Sequence, residues 1–306
     1  MTLAVTSADA RPDRGGETCL MKGARDEVAG RVVLVTGAAR GIGREASLRL
    51  AERGARLALV GLHGKPVREL ASTLGGEAAG FEADVSNLAA IESATAAAVE
   101  RFGGIDVVVA NAGVAPNPQT MLAMDPADFR RVIDVDLLGV WHTLKVTLPH
   151  IAARRGHVLV VSSIYACLNG LHAAPYAASK AAVEQLGRAL RVELAPHGGT
   201  AGVAYFGFFD TQMLDPVLDS SAATRARTAV PAFLTRPLPP GVAADALVRG
   251  IETRAARVAA PAWLPLFLAL RGLFGPLDAY LARSPRVRDA IALAEATEPA
   301  RGARRP

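Results

Sequence analysis

The chain has 306 residues, is 51% hydrophobic, and carries 34 Lys and Arg against 29 Asp and Glu, for a formal net charge of +5. That length and apolar content can bury a sizeable core in one large domain or two smaller ones. The positive excess sits largely in the closing "ARGARRP" (300–306), with no basic stripe interleaved with aromatics, which excludes nucleic acid as the expected partner.

Residues 1–29 are rich in Gly, Asp, Arg and Ala, have no hydrophobic period, and read as a disordered leader. They lack a basic flank followed by an apolar run, so no secretory signal is expected, and Met21 is a second candidate start. Short, nearly continuous apolar runs then follow at 31–37, 55–61, 80–85, 105–113, 156–163 and 200–207, as expected of strands covered on both faces. Segments of helical length and period lie between them at 42–53, 66–74, 87–102, 126–153 and 174–195. Asp125 and Pro126 provide a helix entry as N-cap and first helical residue. Strands alternating with helices predict an α/β fold with a doubly wound parallel sheet, Rossmann-like, in a single domain spanning 30–260.

After Asp210 the pattern weakens. Residues 211–240 read as loop, with 212–240 covering the substrate; a helix is expected at 242–253 and an edge strand at 256–260. A helical, apolar C-terminal extension spans 261–294, and 295–306 read as a disordered tail. The run 258–270 is short of the ~18 residues a bilayer span needs and contains Pro261 and Pro265, so no membrane span is expected. Segment 262–277 reads as a pocket wall or subunit contact, with peripheral membrane contact as the lesser alternative. Two isolated cysteines, Cys19 and Cys167, suggest neither a disulfide framework nor a zinc site, and no metal is expected. A cytoplasmic protein is the resulting expectation.

Two stretches carry chemistry. "VLVTGAARGIGREASLRLAERGA" (33–55) is a strand, a glycine-rich turn and a helix, an arrangement in which free N–H groups at the helix start can hold a pyrophosphate. "APYAASKAAV" (174–183) sets Tyr176 and Lys180 four apart, on one helix face, in a chain whose lysines are only Lys22, Lys65, Lys145 and Lys180.

The spacing Gly37, Gly41, Gly43 resembles the TGxxxGxG turn of the short-chain dehydrogenase/reductase family. "ADV" (83–85), "ANAG" (110–113), "VVSS" (160–163), "YAASK" (176–180) and "FGFFDT" (206–211) resemble further elements of that family in its order, over roughly 31–211. The resemblance implies an NAD(P)-dependent oxidoreductase that interconverts an apolar secondary alcohol and its ketone by hydride transfer. Its catalytic residues would be Ser163, which lies thirteen residues before the tyrosine, Tyr176 as proton acceptor or donor, Lys180, which together with the positive nicotinamide ring would lower the Tyr176 pKa, and Asp136. Asp136 stands where the family usually has asparagine; an anion there would compete for the Lys180 ammonium, and a partly exposed helix acid is the plainer alternative.

Cofactor binding is carried over to Gly37, Arg40, Gly41, Ile42, Gly43, His63, Asp84, Val85, Asn111, Ala112, Gly113, Tyr176, Lys180, Gly207, Phe209 and Thr211. The second strand ends at Gly61 without the acid that NAD-preferring members carry, and Arg40, His63 and Lys65 lie nearby, so NADP is expected ahead of NAD. Tyr165, Leu168, Leu171, Met213 and Leu214 would give an apolar substrate pocket, with His172 as a further candidate contact, and a homodimer or homotetramer is expected. Two other readings share this fold: an NADP-binding regulatory or scaffold protein, and an epimerase or dehydratase with a tightly held nucleotide.

Overall fold

The computed structural model describes residues 28–273 and 275–296. Its strands are β1 (Val32–Thr36), β2 (Arg56–Gly61), β3 (Ala78–Glu82), β4 (Val107–Ala110), β5 (His157–Val161), β6 (Thr200–Phe206) and β7 (Arg257–Ala260). They form one parallel sheet in the order 3-2-1-4-5-6-7. The order reverses between β1 and β4, the switch point at which open sheets of this kind bind ligands beyond the carboxyl ends of their strands.

Valine-rich strands suit this sheet because both of its faces are covered. Val33, Val35, Leu57 and Leu59 pack on α1 (Gly41–Glu52), α2 (Gly64–Leu74) and α10 (Pro240–Glu252). Their alternates Val32, Leu34, Ala58 and Val60 lie in a second core with α3 (Leu88–Phe102), α5 (Gly139–Ala153) and α6 (Ala174–Glu193). Asn87 caps α3 by accepting from the Ala90 N–H at 3.2 Å, and Gly103 ends it in the left-handed region.

Several expected elements change shape. The helix expected over 126–153 is α4 (Pro126–Ile133), a π-helical turn at Asp134–Leu138, and α5. Asp125 caps α4 as expected, accepting from the Ala127 N–H at 2.8 Å. The segment read as loop contains α7 (Asp215–Asp219), α8 (Ser221–Arg227) and α9 (Ala232–Thr235), helices too short to carry a recognisable period. The C-terminal extension divides into α11 (Leu264–Ala269), α12 (Gly275–Arg283) and α13 (Pro285–Ala296). No helix among the described residues is long and apolar enough to cross a membrane.

The expected leader mostly lies outside the described residues, but its final part packs. Val28 is buried, and its carbonyl accepts from the Arg31 N–H at 3.0 Å. Of the expected tail, 297–306 fall outside the description, while Glu295 belongs to α13 and accepts from Thr120 Oγ1 at 3.1 Å.

Asp106 fixes the three strands that carry most of the site. Its N–H donates to the Val32 carbonyl and its own carbonyl accepts from the His157 N–H, both at 2.9 Å. Its Oδ2 accepts from the Val32 N–H at 2.8 Å, with Arg154 Nη1 3.3 Å from Oδ1. Asp106→Ala strips a buried N–H and a cation of their acceptor, so a loss of about 2–3 kcal/mol is expected in urea unfolding; an unchanged midpoint would contradict this role.

Candidate active site

In a parallel sheet every strand delivers its carboxyl end to one edge, and the sequence places its chemistry there. Gly37 and Gly41 follow β1 with φ of 67° and 55°, values that glycine adopts without strain. A Cβ at Gly43 would stand 2.4 Å from the Gly37 carbonyl oxygen, so the turn closes only without one. Arg40, the α1 N-cap, makes no side-chain capping bond, and the first turn of α1 holds no acid. The helix start therefore keeps its N–H donors and positive dipole end for an anion. These features fit the pyrophosphate of a dinucleotide.

Asn111 and Thr36 hold that turn against β4. Asn111 Nδ2 donates to the Thr36 carbonyl at 3.0 Å, and Thr36 Oγ1 accepts from the Asn111 and Ala112 N–H groups at 3.1 Å each. Asn111 thus shapes the glycine turn with its side chain. Thr211 meets the turn from the far side: a Cβ on Gly41 would lie 3.3 Å from Thr211 Cγ2. Ile42, Gly113, Gly207 and Phe209 join Asn111 and Thr211 on the wall of one cavity.

The adenosine-side candidates lie at the ends of β2 and β3, outside that cavity wall. His63 is exposed at the N-cap of α2. Asp84 spends its carboxylate on Ser86, accepting from the N–H at 2.9 Å and the hydroxyl at 2.7 Å. Val85 is buried against Gly139. Arg40 is exposed and donates to Gln212 Oε1 at 3.2 Å. Gly61 offers no carboxylate, as the sequence says, yet Glu82 at the end of β3 accepts from the Gly64 N–H at 3.0 Å. That acid reaches the start of α2 from a neighbouring strand, where a motif read along β2 does not find it.

Tyr176 and Lys180 lie one turn apart on α6, with Lys180 Nζ 5.4 Å from the centre of the Tyr176 ring. Nζ donates to the Val161 carbonyl at 3.3 Å and faces Asp136 Oδ2 at 3.6 Å. Asp136 is 0% exposed, which overturns the surface-acid alternative. The π-helical turn aims it inward, where Oδ1 accepts from the Val114 N–H at 2.7 Å. Ser162 and Ser163 both line the cavity; Ser162 Oγ donates to the Lys180 carbonyl at 2.8 Å and Ser163 Oγ to the Phe206 carbonyl at 3.3 Å. Ser179 only bonds its own helix, at the Tyr176 carbonyl.

Without nucleotide, burial and Asp136 dominate the electrostatics at Tyr176. Burial, then the Asp136 charge, hold the Tyr176 phenol well above its ordinary value, opposed by a hydrogen bond with the Ser163 side chain. Lys180 spends its charge on Asp136, whose carboxyl is itself raised by burial against the pull of Lys180.

The cavity beside Tyr176 has a volume of about 290 Å³. Tyr165, Leu168, Leu171, Met213 and Leu214 line it, together with Phe208, which the sequence gave no reason to choose. The Tyr165 ring packs edge-on against Tyr176 at 5.8 Å and against Phe208 at 6.0 Å, and burial pushes its phenol up to about 12. His172 also reaches the wall, but its two ring nitrogens are sealed from solvent without hydrogen-bond partners, and burial lowers its pKa. Among the described residues no group of three His, Cys, Asp or Glu could hold a metal ion.

Comparison with known proteins places this geometry among relatives. The family profile described as short chain dehydrogenase matches residues 31–221. The chain is 38% identical to (-)-trans-carveol dehydrogenase of Rhodococcus erythropolis over 65% of its own length and 76% of that enzyme. It is 35% identical to cis-4-hydroxycyclohexanecarboxylate dehydrogenase of Sinomonas cyclohexanicum over 68% of its length and 85% of that enzyme. A short-chain dehydrogenase/reductase from Burkholderia phymatum, solved in complex with NAD, superposes with a TM-score of 0.70 at 27% identity, covering 85% of this chain and 97% of that one.

Gly43→Ala tests the cradle. The clash with the Gly37 carbonyl is expected to cost roughly 1–3 kcal/mol of stability and to weaken nucleotide binding measured by calorimetry; binding at wild-type affinity would remove the turn from the site.

Proposed function

Because the chain belongs to the short-chain dehydrogenase family, we propose that it interconverts an apolar secondary alcohol and its ketone, with Tyr176 as general acid and base. The observation that carries the reading is the placement of Tyr176, Ser163 and Lys180 on one wall of a largely apolar cavity at the sheet's carboxyl edge. The chain is an NAD(P)-dependent oxidoreductase acting on CH–OH groups. Relatives named as (-)-trans-carveol and cis-4-hydroxycyclohexanecarboxylate dehydrogenases support a compact, carbon-rich substrate.

When bound, the nicotinamide supplies the hydride acceptor or donor. Tyr176 phenolate takes the hydroxyl proton as the alcohol is oxidised, and the phenol returns a proton to the carbonyl oxygen as the ketone is reduced. Ser163 is placed to hold that oxygen. Lys180 stands behind the phenol, anchored by the Val161 carbonyl and by Asp136. The raised phenol can give its proton to the carbonyl oxygen, and drawing that proton off for alcohol oxidation takes a higher pH.

NADP ahead of NAD is supported by Arg40, which is exposed and bonded to the neutral Gln212 amide, and by Gly61, which presents no carboxylate. Glu82 accepts from the Gly64 N–H at the start of α2, and the exposed Arg40, His63 and Lys65 are the basic residues that could meet a 2′-phosphate. Leu138, Trp141 and Val192 leave large apolar side chains exposed around α5 and α6, which supports a homo-oligomer.

The test is a screen of cyclic secondary alcohols and ketones with both nucleotides, followed by absorbance of the reduced nicotinamide, with NADP expected to give the higher rates. Tyr176→Phe is expected to lower kcat by roughly 10²- to 10⁴-fold while nucleotide binding persists; retained turnover would remove Tyr176 from the reaction.

Asp136→Asn removes an anion that disfavours the phenolate and frees the Lys180 charge to favour it. The rise of kcat/KM with pH in alcohol oxidation is therefore expected to move to lower pH. A profile that stays in place, or moves to higher pH, would contradict the coupling.

A further inference from the structure

The cavity wall contains no aspartate or glutamate and only two charged residues, Lys180 and Arg227. Lys180 is compensated by Asp136. Arg227, the last residue of α8, is not. It makes one hydrogen bond, from Nη2 to the Thr235 carbonyl at 2.8 Å, and no ion pair among the described residues. Arg225, two residues earlier, behaves differently: it is exposed and pairs with Asp289 at 2.9 Å.

A guanidinium has five N–H donors in a planar fork, and one carbonyl satisfies only one of them. Half-burying that charge in a wall it shares with Val230, Leu234, Leu277 and Leu281 is costly without a counter-charge. Arg227 lines the same cavity as Tyr165, the ring that packs edge-on against Tyr176. The group that best answers a planar fork in an apolar wall is a carboxylate, through two parallel charge-assisted bonds.

We propose that Arg227 anchors a carboxylate of the substrate, so that the preferred substrates are hydroxy or keto acids with an apolar, ring-sized body. This rests on the alcohol/ketone reading above and sharpens it: the hydrocarbon fills the cavity, the reacting oxygen lies at Ser163 and Tyr176, and the acid group lies at Arg227. Arg227 is then a specificity-determining residue that takes no part in proton transfer.

The test uses the full chain and two isosteric probes that cannot react, cyclohexanecarboxylate and cyclohexanecarboxamide, titrated calorimetrically. The wild type is expected to bind the carboxylate at least about tenfold more tightly than the amide, the range of a charge-assisted pair. In Arg227→Gln that ratio is expected to fall to near one, with Arg227→Lys intermediate because it keeps the charge and loses the fork. Arg225→Gln, which alters a solvent-exposed arginine, is expected to keep the full ratio. Equal binding of the two probes by the wild type, or a preference that survives Arg227→Gln, would overturn the proposal.

Because these probes carry no alcohol, the outcome is independent of turnover. Tyr176→Phe is expected to retain the carboxylate preference. Should Tyr176→Phe still oxidise alcohols, the acid/base reading would fail and the Arg227 anchor would stand.

Discussion

The buried pair formed by Lys180 and Asp136 sets the character of the active site. Each group alone would be expensive where it lies, with 3% and 0% of its surface exposed. Together they are tolerated because each also has a backbone partner, the Val161 carbonyl for the ammonium and the Val114 N–H for the carboxylate. The consequence falls on Tyr176. An ammonium that already faces an anion has little left with which to acidify a phenol, and the anion opposes the phenolate directly. Burial and that anion together hold the Tyr176 phenol above its ordinary value in the chain without nucleotide.

The fold supports this pair from several directions. Asp106 ties β1, β4 and β5 in register near their starts, so their far ends present the glycine turn, Asn111 and Ser163 on a common edge. Thr36 and Asn111 then lock the turn to β4. The π-helical turn between α4 and α5 brings Asp136 beneath Gly113, where a Cβ would stand 3.4 Å from its Oδ1. The residues after β6 close the other side, with α8 packed on α13 and Arg227 left facing the cavity. Chemistry and cover thus come from different parts of the chain, the first from strand ends and the second from short helices.

The parallel sheet was legible because runs such as Val32–Val35 are buried on both faces and interrupted by amphipathic segments of crossover length. The glycine turn, Ser163, Tyr176 and Lys180 were legible because their spacing is local or fixed by order along the chain. What escaped is non-local. A 3.6-residue period hides the π-helical turn, and so the sequence leaves open whether Asp136 faces solvent or core. Glu82 reaches α2 from another strand, Phe208 enters through a ring contact with Tyr165, and Arg227 is distinguished from Arg225 only by which way a seven-residue helix is turned. Short helices such as α7, α8 and α9 rest on tertiary contacts more than on propensity, so their residues read as loop.

The most direct measurement is the titration of Tyr176 itself, by NMR of protein carrying isotope-labelled tyrosine, with the Tyr176→Phe spectrum assigning its signal among the four tyrosines. In the nucleotide-free protein the signal should titrate above an unperturbed phenol, and saturating oxidised nucleotide should bring it down. A Tyr176 that titrates at or below the ordinary phenol value without nucleotide would contradict the central claim that the Lys180 charge is already held by Asp136.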